Sequence, residues 1–405
     1  MSFYLLILLT FVLLGRPQDF FPSLASLRLA LILTIVTLAM TFLKSKKITS
    51  KGIFRLKESK NYALFYLIMI LGIPFAYHRR MAFDYVILVY LSNMLFFYFC
   101  LIHIDTVKKL KSIIFAVCVS VLFYSALSLA KGGLNSGRFA FGDMYDPNDL
   151  AYFLVSLFPF GLLFIINNEG LFKKIIGITT VGISVIVILL TGSRGGFLSL
   201  IVVFTLLLFK QGQAIKLSSK ILLLVISFVM IAAYSSKINT ERYESLKDVG
   251  SDYNVAGEGG RLGIWKKGIQ LVLFNPIIGV GVNCFPKAIG EMRADEGEIP
   301  KWQVAHNAYL QVAAEVGLIG FFLFSSMISR SLKNLSLHKK TEIGSLQTKE
   351  FRSIVVSLRV GFIGSLVVAF FLTQAYSILF TLFFALSVVI KRFASDHTDQ
   401  RQAAV

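Results

Sequence analysis

Residues 112–130 read Ser-Ile-Ile-Phe-Ala-Val-Cys-Val-Ser-Val-Leu-Phe-Tyr-Ser-Ala-Leu-Ser-Leu-Ala, with Lys111 before them and Lys131 after. As a helix rising 1.5 Å per residue this uncharged run is about 28 Å long, close to the ~30 Å thickness of a bilayer's hydrocarbon core. Runs of the same kind occur on both sides of it, at 3–15, 25–43, 62–77, 84–104, 149–167, 175–191, 195–209, 221–235, 307–329, 354–373 and 375–390. The pattern predicts an all-α, polytopic integral membrane protein of about twelve transmembrane helices, a single membrane domain over 1–405. Composition agrees: 56% of the 405 residues are hydrophobic and 16% charged, and the mean hydropathy is +0.74. That is too little polar surface to clothe a soluble globule of this size.

A net charge of +19 would suggest nucleic acid in a soluble protein, but here the basic residues sit in short connections, where they orient helices. Nucleic acid is therefore not an expected partner. With the N-terminus inside, Lys44 to Lys60, Lys108 to Lys111, Lys173 and Lys174, Lys210 to Lys220, Arg330 to Arg352, and Lys391 and Arg392 all face the cytoplasm. The chain's one long connection, 236–306, then falls on the extracytoplasmic side. The first apolar run lacks a basic region before it and a small-residue cleavage site after it, so it reads as a membrane helix and not a removed leader. The polar tail 395–405 is expected to be disordered. The three cysteines, Cys100, Cys118 and Cys284, are too scattered for a metal cluster or a disulfide framework.

The inside loops are mostly lysine, whereas the short outside connections carry Arg16, Arg79, Arg80, Arg138 and Arg194. A guanidinium grips phosphate oxygens with two parallel donors, which lysine cannot do. Arginine kept outside against the topological bias points to an anionic ligand there; snorkelling of arginine stems to the headgroups is the alternative. The long loop contains Gly260-Arg261-Leu262-Gly263-Ile264-Trp265 and Asn275-Pro276-Ile277-Ile278-Gly279-Val280-Gly281, and ends in Ala305-His306-Asn307-Ala308-Tyr309-Leu310. Within the next apolar run comes Glu315-Val316-Gly317-Leu318-Ile319-Gly320.

With these segments in this order, the chain resembles the bacterial O-antigen ligase and O-antigen polymerase superfamily, over roughly 140–330. That family ends its large periplasmic loop in His-Asn-x-x-Leu, followed by Glu-x-Gly-x-x-Gly. Thr191-Gly192-Ser193-Arg194-Gly195-Gly196 at an outer turn and Asp146-Pro147-Asn148-Asp149 opening a helix fall where the family places such segments. The resemblance implies a multi-pass protein of the bacterial cytoplasmic (inner) membrane, with its site facing the periplasm. It also implies a glycan carried on undecaprenyl diphosphate as donor, and a glycan, lipid or protein as acceptor. No cofactor and no metal are expected, since fixed guanidinium groups can supply the charge a cation would bring to a diphosphate.

On that chemistry the leaving group gains negative charge as the anomeric bond breaks, and donors aimed at it stabilise the transition state more than the ground state. Arg194 and Arg261 are the candidates for that role. His306 is the candidate base, because imidazole titrates near neutrality and can take the acceptor's proton. Asn307, Gln311 and Glu315 follow at a spacing of four and line one helix face; together with Arg138 they are expected to support the site. Glu315 is costly to bury alone and is expected to pair with a basic group or face water. Gly317 and Gly320 most simply permit close helix packing, Asp146, Asn148 and Asp149 most simply cap a helix, and the acidic stretch Glu291, Asp295, Glu296 and Glu298 reads as solvated loop surface. Leu262 to Phe274 is amphipathic enough to lie at the membrane interface. A protein O-oligosaccharyltransferase of the same family is the neighbouring reading. A transporter or flippase of lipid-linked glycans is the rival from another class, and it would be expected to carry broken helices.

Overall fold

The computed structural model describes residues 1–43, 52–135, 138–140, 146–167, 169–210, 260–336 and 346–402, together with positions 217, 220, 221, 224, 225, 228 and 232. Among them the chain is helical, apart from one short antiparallel hairpin, β1 (Gly133–Asn135) with β2 (Arg138–Ala140). In chain order the main helices are α1 (Ser2–Gly15), α2 (Leu29–Leu43), α3 (Lys57–Gly72), α4 (Arg79–His103), α5 (Val107–Lys131), α6 (Pro147–Ile166), α7 (Leu171–Leu190) and α8 (Arg194–Phe209). They continue as α9 (Arg261–Phe274), α10 (Phe285–Asp295), α11 (Ala308–Asn334), α12 (Leu346–Ala369) and α13 (Ile378–Gln402).

Six of these, α4, α5, α6, α7, α11 and the stretch Glu350–Ala369 of α12, are long and apolar enough to cross a membrane; α1, α2 and α8 are apolar but shorter. The expected ninth span, 221–235, lies mostly outside the described residues, as does the first part of the long connection, 236–259. Helix α13 runs on through 395 to Gln402, over most of the polar tail read from the sequence. Helices α5, α6, α7, α11, α12 and α13 share one apolar core dense in phenylalanine. A smaller cluster, including Ile264, Leu271, Phe285 and Ile289, packs α9 and α10 into a cap.

Contacts between connections respect the two faces assigned from the lysines. At the end of the bundle read as inner, Lys111 bonds Glu169 at 2.7 Å, Lys391 bonds Glu58 at 2.7 Å and Thr41 bonds His103 at 2.8 Å. On the opposite side, Lys131 donates to the Phe20 carbonyl at 3.0 Å and Tyr77 N–H to the Val280 carbonyl at 2.9 Å. Helix α9 buries Ile264, Gly268 and Leu271 and leaves the large apolar side chains of Leu262, Ile269, Leu273 and Phe274 exposed.

Candidate functional site

His306 stands two residues ahead of α11 with φ 46°, in the left-handed region that few non-glycine residues enter. Its N–H is held by Thr373 Oγ1 at 2.8 Å. Asn307 does not belong to the polar stripe expected on α11. Its side chain caps the helix instead, accepting from the N–H groups of Tyr309 (2.9 Å) and Leu310 (3.0 Å), and so satisfies donors that have no partner within the helix. The imidazole is thereby placed at the junction of loop and helix by a cap on one side and a threonine on the other.

Thr373 belongs to the turn between α12 and α13, and this turn organises the site. Phe370 packs edge-on against Trp265 of α9 at 5.5 Å, while the Trp265 indole donates to the Ala305 carbonyl at 3.0 Å. Phe371 lies where a side chain on Gly195 would come within 3.1 Å. Gln374 donates to Asp149 at 2.8 Å, Ala375 N–H donates to Gln311 Oε1 at 3.2 Å, and Asn93 donates to the Tyr376 carbonyl at 3.0 Å. One polar turn thus joins α4, α6, α8, α9 and α11. Thr373 and Gln374 did not stand out in the sequence; the only signal was a polar pair inside an otherwise apolar hairpin.

Arg194 and Arg261 are each the first residue of a helix, α8 behind its Ser193 cap and α9 behind Gly260. A cation there opposes the helix dipole unless an anion faces it. Arg261 is close enough to His306 to act on it electrostatically. Burial chiefly, and then the Arg261 charge, push the His306 pKa below its ordinary value, while Asp146 pulls the other way. Arg138 is tied into the scaffold: from the start of β2 its Nε donates to the Thr191 carbonyl (3.1 Å) and its Nη2 to Asn148 Oδ1 (2.8 Å), holding the outer turn against the start of α6. Asp146 caps α6 through the N–H groups of Asn148 (2.6 Å) and Asp149 (2.8 Å), as expected. Asn148 and Asp149 do more than cap, since Arg138 and Gln374 hold them. The other outer arginines differ: Arg16 pairs with Asp19 at 2.7 Å, and Arg80 lies 3.8 Å from Asp84.

Glu315 finds no basic partner among the described residues, contrary to expectation. Its carboxylate accepts from the Phe285 N–H at 3.1 Å and from Gln311 Nε2 at 3.3 Å, so it anchors the cap to α11. Gly317 also departs from its expected packing role. At φ 73°, ψ 179° it breaks α11, and a β-carbon on it would lie 2.2 Å from the Ile277 carbonyl oxygen. The segment 276–281 lies against this break: Val280 N–H donates to Ala314 O (2.8 Å), Gly281 N–H to Glu315 O (3.0 Å) and Leu318 N–H to Pro276 O (2.7 Å). Two glycine-bearing motifs far apart in sequence therefore form one joint.

Glu296 and Glu298 pair with Lys267, and Glu298 also with Arg293 at 2.9 Å, in keeping with ordinary loop surface. All three cysteines are buried and free. Burial pushes the Cys284 thiol up to about 11, which keeps it protonated and unreactive at neutral pH.

These features define a class: a multi-pass membrane protein in which His306 lies within electrostatic reach of Arg261 beside one polar turn that also packs on the Arg194 helix, under a helical cap seated on a broken helix. Residues 179–325 match the family model described as O-antigen ligase, which supports the resemblance of this stretch to the O-antigen ligase and polymerase superfamily. With the match comes O-antigen ligase-type glycosyl transfer at the membrane. The matched stretch contains Arg194, Arg261, His306, Gln311 and Glu315, and leaves out Arg138 and Asp146. No curated protein sequence matches the chain.

Proposed function

We propose that the chain transfers an oligo- or polysaccharide from undecaprenyl diphosphate to an acceptor hydroxyl at the outer face of the bacterial cytoplasmic membrane. The acceptor is a second glycan or a glycolipid, as in a ligase or polymerase. In the reaction the acceptor oxygen attacks the anomeric carbon from the side opposite the diphosphate. Its proton passes to the His306 imidazole, the C–O bond to the diphosphate breaks, and the electron pair leaves with the diphosphate oxygen. Attack from that side inverts the anomeric centre. The observation that carries the reading is the meeting of His306 with Arg261 at the cap, beside the turn that also packs against the Arg194 helix. Two helix N-termini that each begin with arginine provide backbone N–H groups and guanidinium charge for one anion.

A groove of about 930 Å³ supports the lipid half of the donor. It opens at Thr373 and Gln374, has Arg16 and Arg28 at its rim, and runs past Leu88 and Leu95 to Leu38. Its apolar walls suit an isoprenoid chain. The arginines take the place of a cation at the diphosphate, so transfer is expected to persist in excess chelator; loss on chelation with recovery on adding magnesium or manganese overturns that part.

The break in α11 at Gly317 is a feature a lipid-glycan transporter would share. The readings separate on His306→Ala in the purified full chain, incubated with a defined undecaprenyl-diphosphate glycan and candidate acceptors and followed by mass spectrometry. Transfer falls by a factor of about 10² or more, as expected on removing a positioned base, while lipid binding is retained. Near-normal transfer would sink the assignment of His306. Anomeric configurations of donor and product, compared by NMR, test inversion.

A further inference from the structure

At the face opposite the transfer site, α1 leaves a two-lobed cleft against α5. The deeper lobe, about 960 Å³, has apolar walls that include Ile7, Phe11, Phe115 and Val119, and its mouth carries Lys108, Lys111, Lys173 and Glu350. The smaller lobe, about 580 Å³, mixes the apolar Phe3 and Ile102 with the polar Thr41, His103, Thr106 and Lys109, and shares Tyr4, Ile7, Lys108 and Ser112 with the first. An apolar slot whose mouth carries lysines and opens into a lobe of mixed polarity has the shape of a lipid seat, with the acyl chain in the slot and the headgroup at the mouth.

The charges at the mouth specify the headgroup. Lys111 is matched by Glu169 at 2.7 Å and by Glu350, Lys173 by Glu169 at 2.9 Å, and Lys109 by Asp105 at 2.7 Å. Lys108 is exposed at the junction of the lobes and has no carboxylate within ion-pair distance among the described residues. It also stands in the first turn of α5, where a cation opposes the helix dipole. One uncompensated positive charge over an apolar slot complements one negative charge on an amphiphile.

We propose that this cleft binds a monoanionic phospholipid of the inner leaflet, a phosphatidylglycerol, with its phosphate at Lys108 and an acyl chain between α1 and α5. The site is separate from the glycan chemistry and does not depend on it. The test is native mass spectrometry of the full chain in mild detergent, titrated with phosphatidylglycerol or with phosphatidylethanolamine of the same acyl chains. The wild type retains one phosphatidylglycerol in preference to phosphatidylethanolamine. Lys108→Ala weakens that preference about fivefold, which corresponds to the ~1 kcal/mol typical of one basic residue near an anionic lipid surface. Its melting temperature in detergent without added lipid stays unchanged. Val119→Trp, which fills the apolar lobe, lowers retention of both lipids. Equal retention of the two lipids by the wild type, an unchanged preference in Lys108→Ala, or a Val119→Trp variant that binds both lipids as the wild type does would each overturn the proposal. The last result would leave only a surface charge without a seat for the chain.

Discussion

Gly317→Ala probes the joint on which cap and bundle meet. The glycine's φ of 73° with ψ of 179° falls in a region open essentially to glycine alone, where a side chain costs about 1–3 kcal/mol. The added methyl would also sit 2.2 Å from the Ile277 carbonyl oxygen and 2.9 Å from the Ile278 nitrogen. Both are backbone atoms, so the segment 276–281 must move away. Three backbone hydrogen bonds cross the joint, each contributing about 0.5–1.5 kcal/mol net. Losing them together with the backbone strain amounts to about 3–7 kcal/mol, a large share of the ~5–15 kcal/mol that stabilises a typical fold. The assay is thermal denaturation of the full chain in detergent, beside Gly72→Ala as control. Gly72 faces the same segment, but its added β-carbon would meet the Ile278 side chain at 3.6 Å and the Ile278 carbonyl oxygen at 4.0 Å, both ordinary contacts. A drop of roughly 10 °C or more is expected for Gly317→Ala, with little change for the control. If Gly317→Ala melted within a degree or two of the wild type, the break in α11 would not be the anchor of the cap.

The remaining predictions concern the polar turn and the histidine. Because burial and then Arg261 lower the His306 pKa, the imidazole is neutral at pH 7, and the acid limb of the rate profile lies below the ordinary histidine range. Arg261→Gln moves that limb to higher pH as well as slowing transfer, and Asp146→Asn moves it lower; limbs that stay put in both would break the electrostatic link. By the same sign, the stability due to neutral His306 is full above the ordinary histidine pKa. It is lost as pH falls through the lowered one, which melts of the wild type and His306→Ala between pH 7 and 5 would reveal. Trp265→Phe keeps the ring beside Phe370 but deletes the bond to the Ala305 carbonyl, so kcat falls about tenfold or more through misplacement of His306, with stability down by only ~1 kcal/mol. Unchanged kcat would dissociate Trp265 from the base. Gln374→Leu removes the partner of Asp149 and is expected to cost about 1–3 kcal/mol in a melt, since a buried acceptor loses its donor; a melt identical to wild type refutes that tie.

Two motifs readable in the sequence changed meaning once their neighbours were known. Glu-x-Gly-x-x-Gly reads as a costly carboxylate followed by packing glycines, yet Glu315 is paid in backbone and amide donors, and Gly317 is a break. The Phe285 N–H that meets the carboxylate and the turn backbone from Pro276 to Gly281 that faces the break come from some 30 to 40 residues away, while Gln311 lies one helical turn before Glu315. Arg138, expected only to support the site, is a clamp between two segments, because its acceptors lie on Thr191 and Asn148. Among the proposed site residues, His306 and Arg261 come within electrostatic reach of each other. Asn307, grouped with Gln311 and Glu315 by spacing, caps instead, since the helix begins one residue later than the stripe requires.

What the sequence determined by itself is what depends on neighbours along the chain. Hydrophobic run length marks the helices, lysine placement sorts the connections into two sets, and the order of short motifs carries the resemblance to the superfamily. The choice of partner for each polar group was decided only by the tertiary structure. The turn 370–377 became the centre of the site because five distant segments satisfy their polar and aromatic groups upon it. Such pairing depends on which backbones approach within 3 Å, and spacing along the chain carries no record of that.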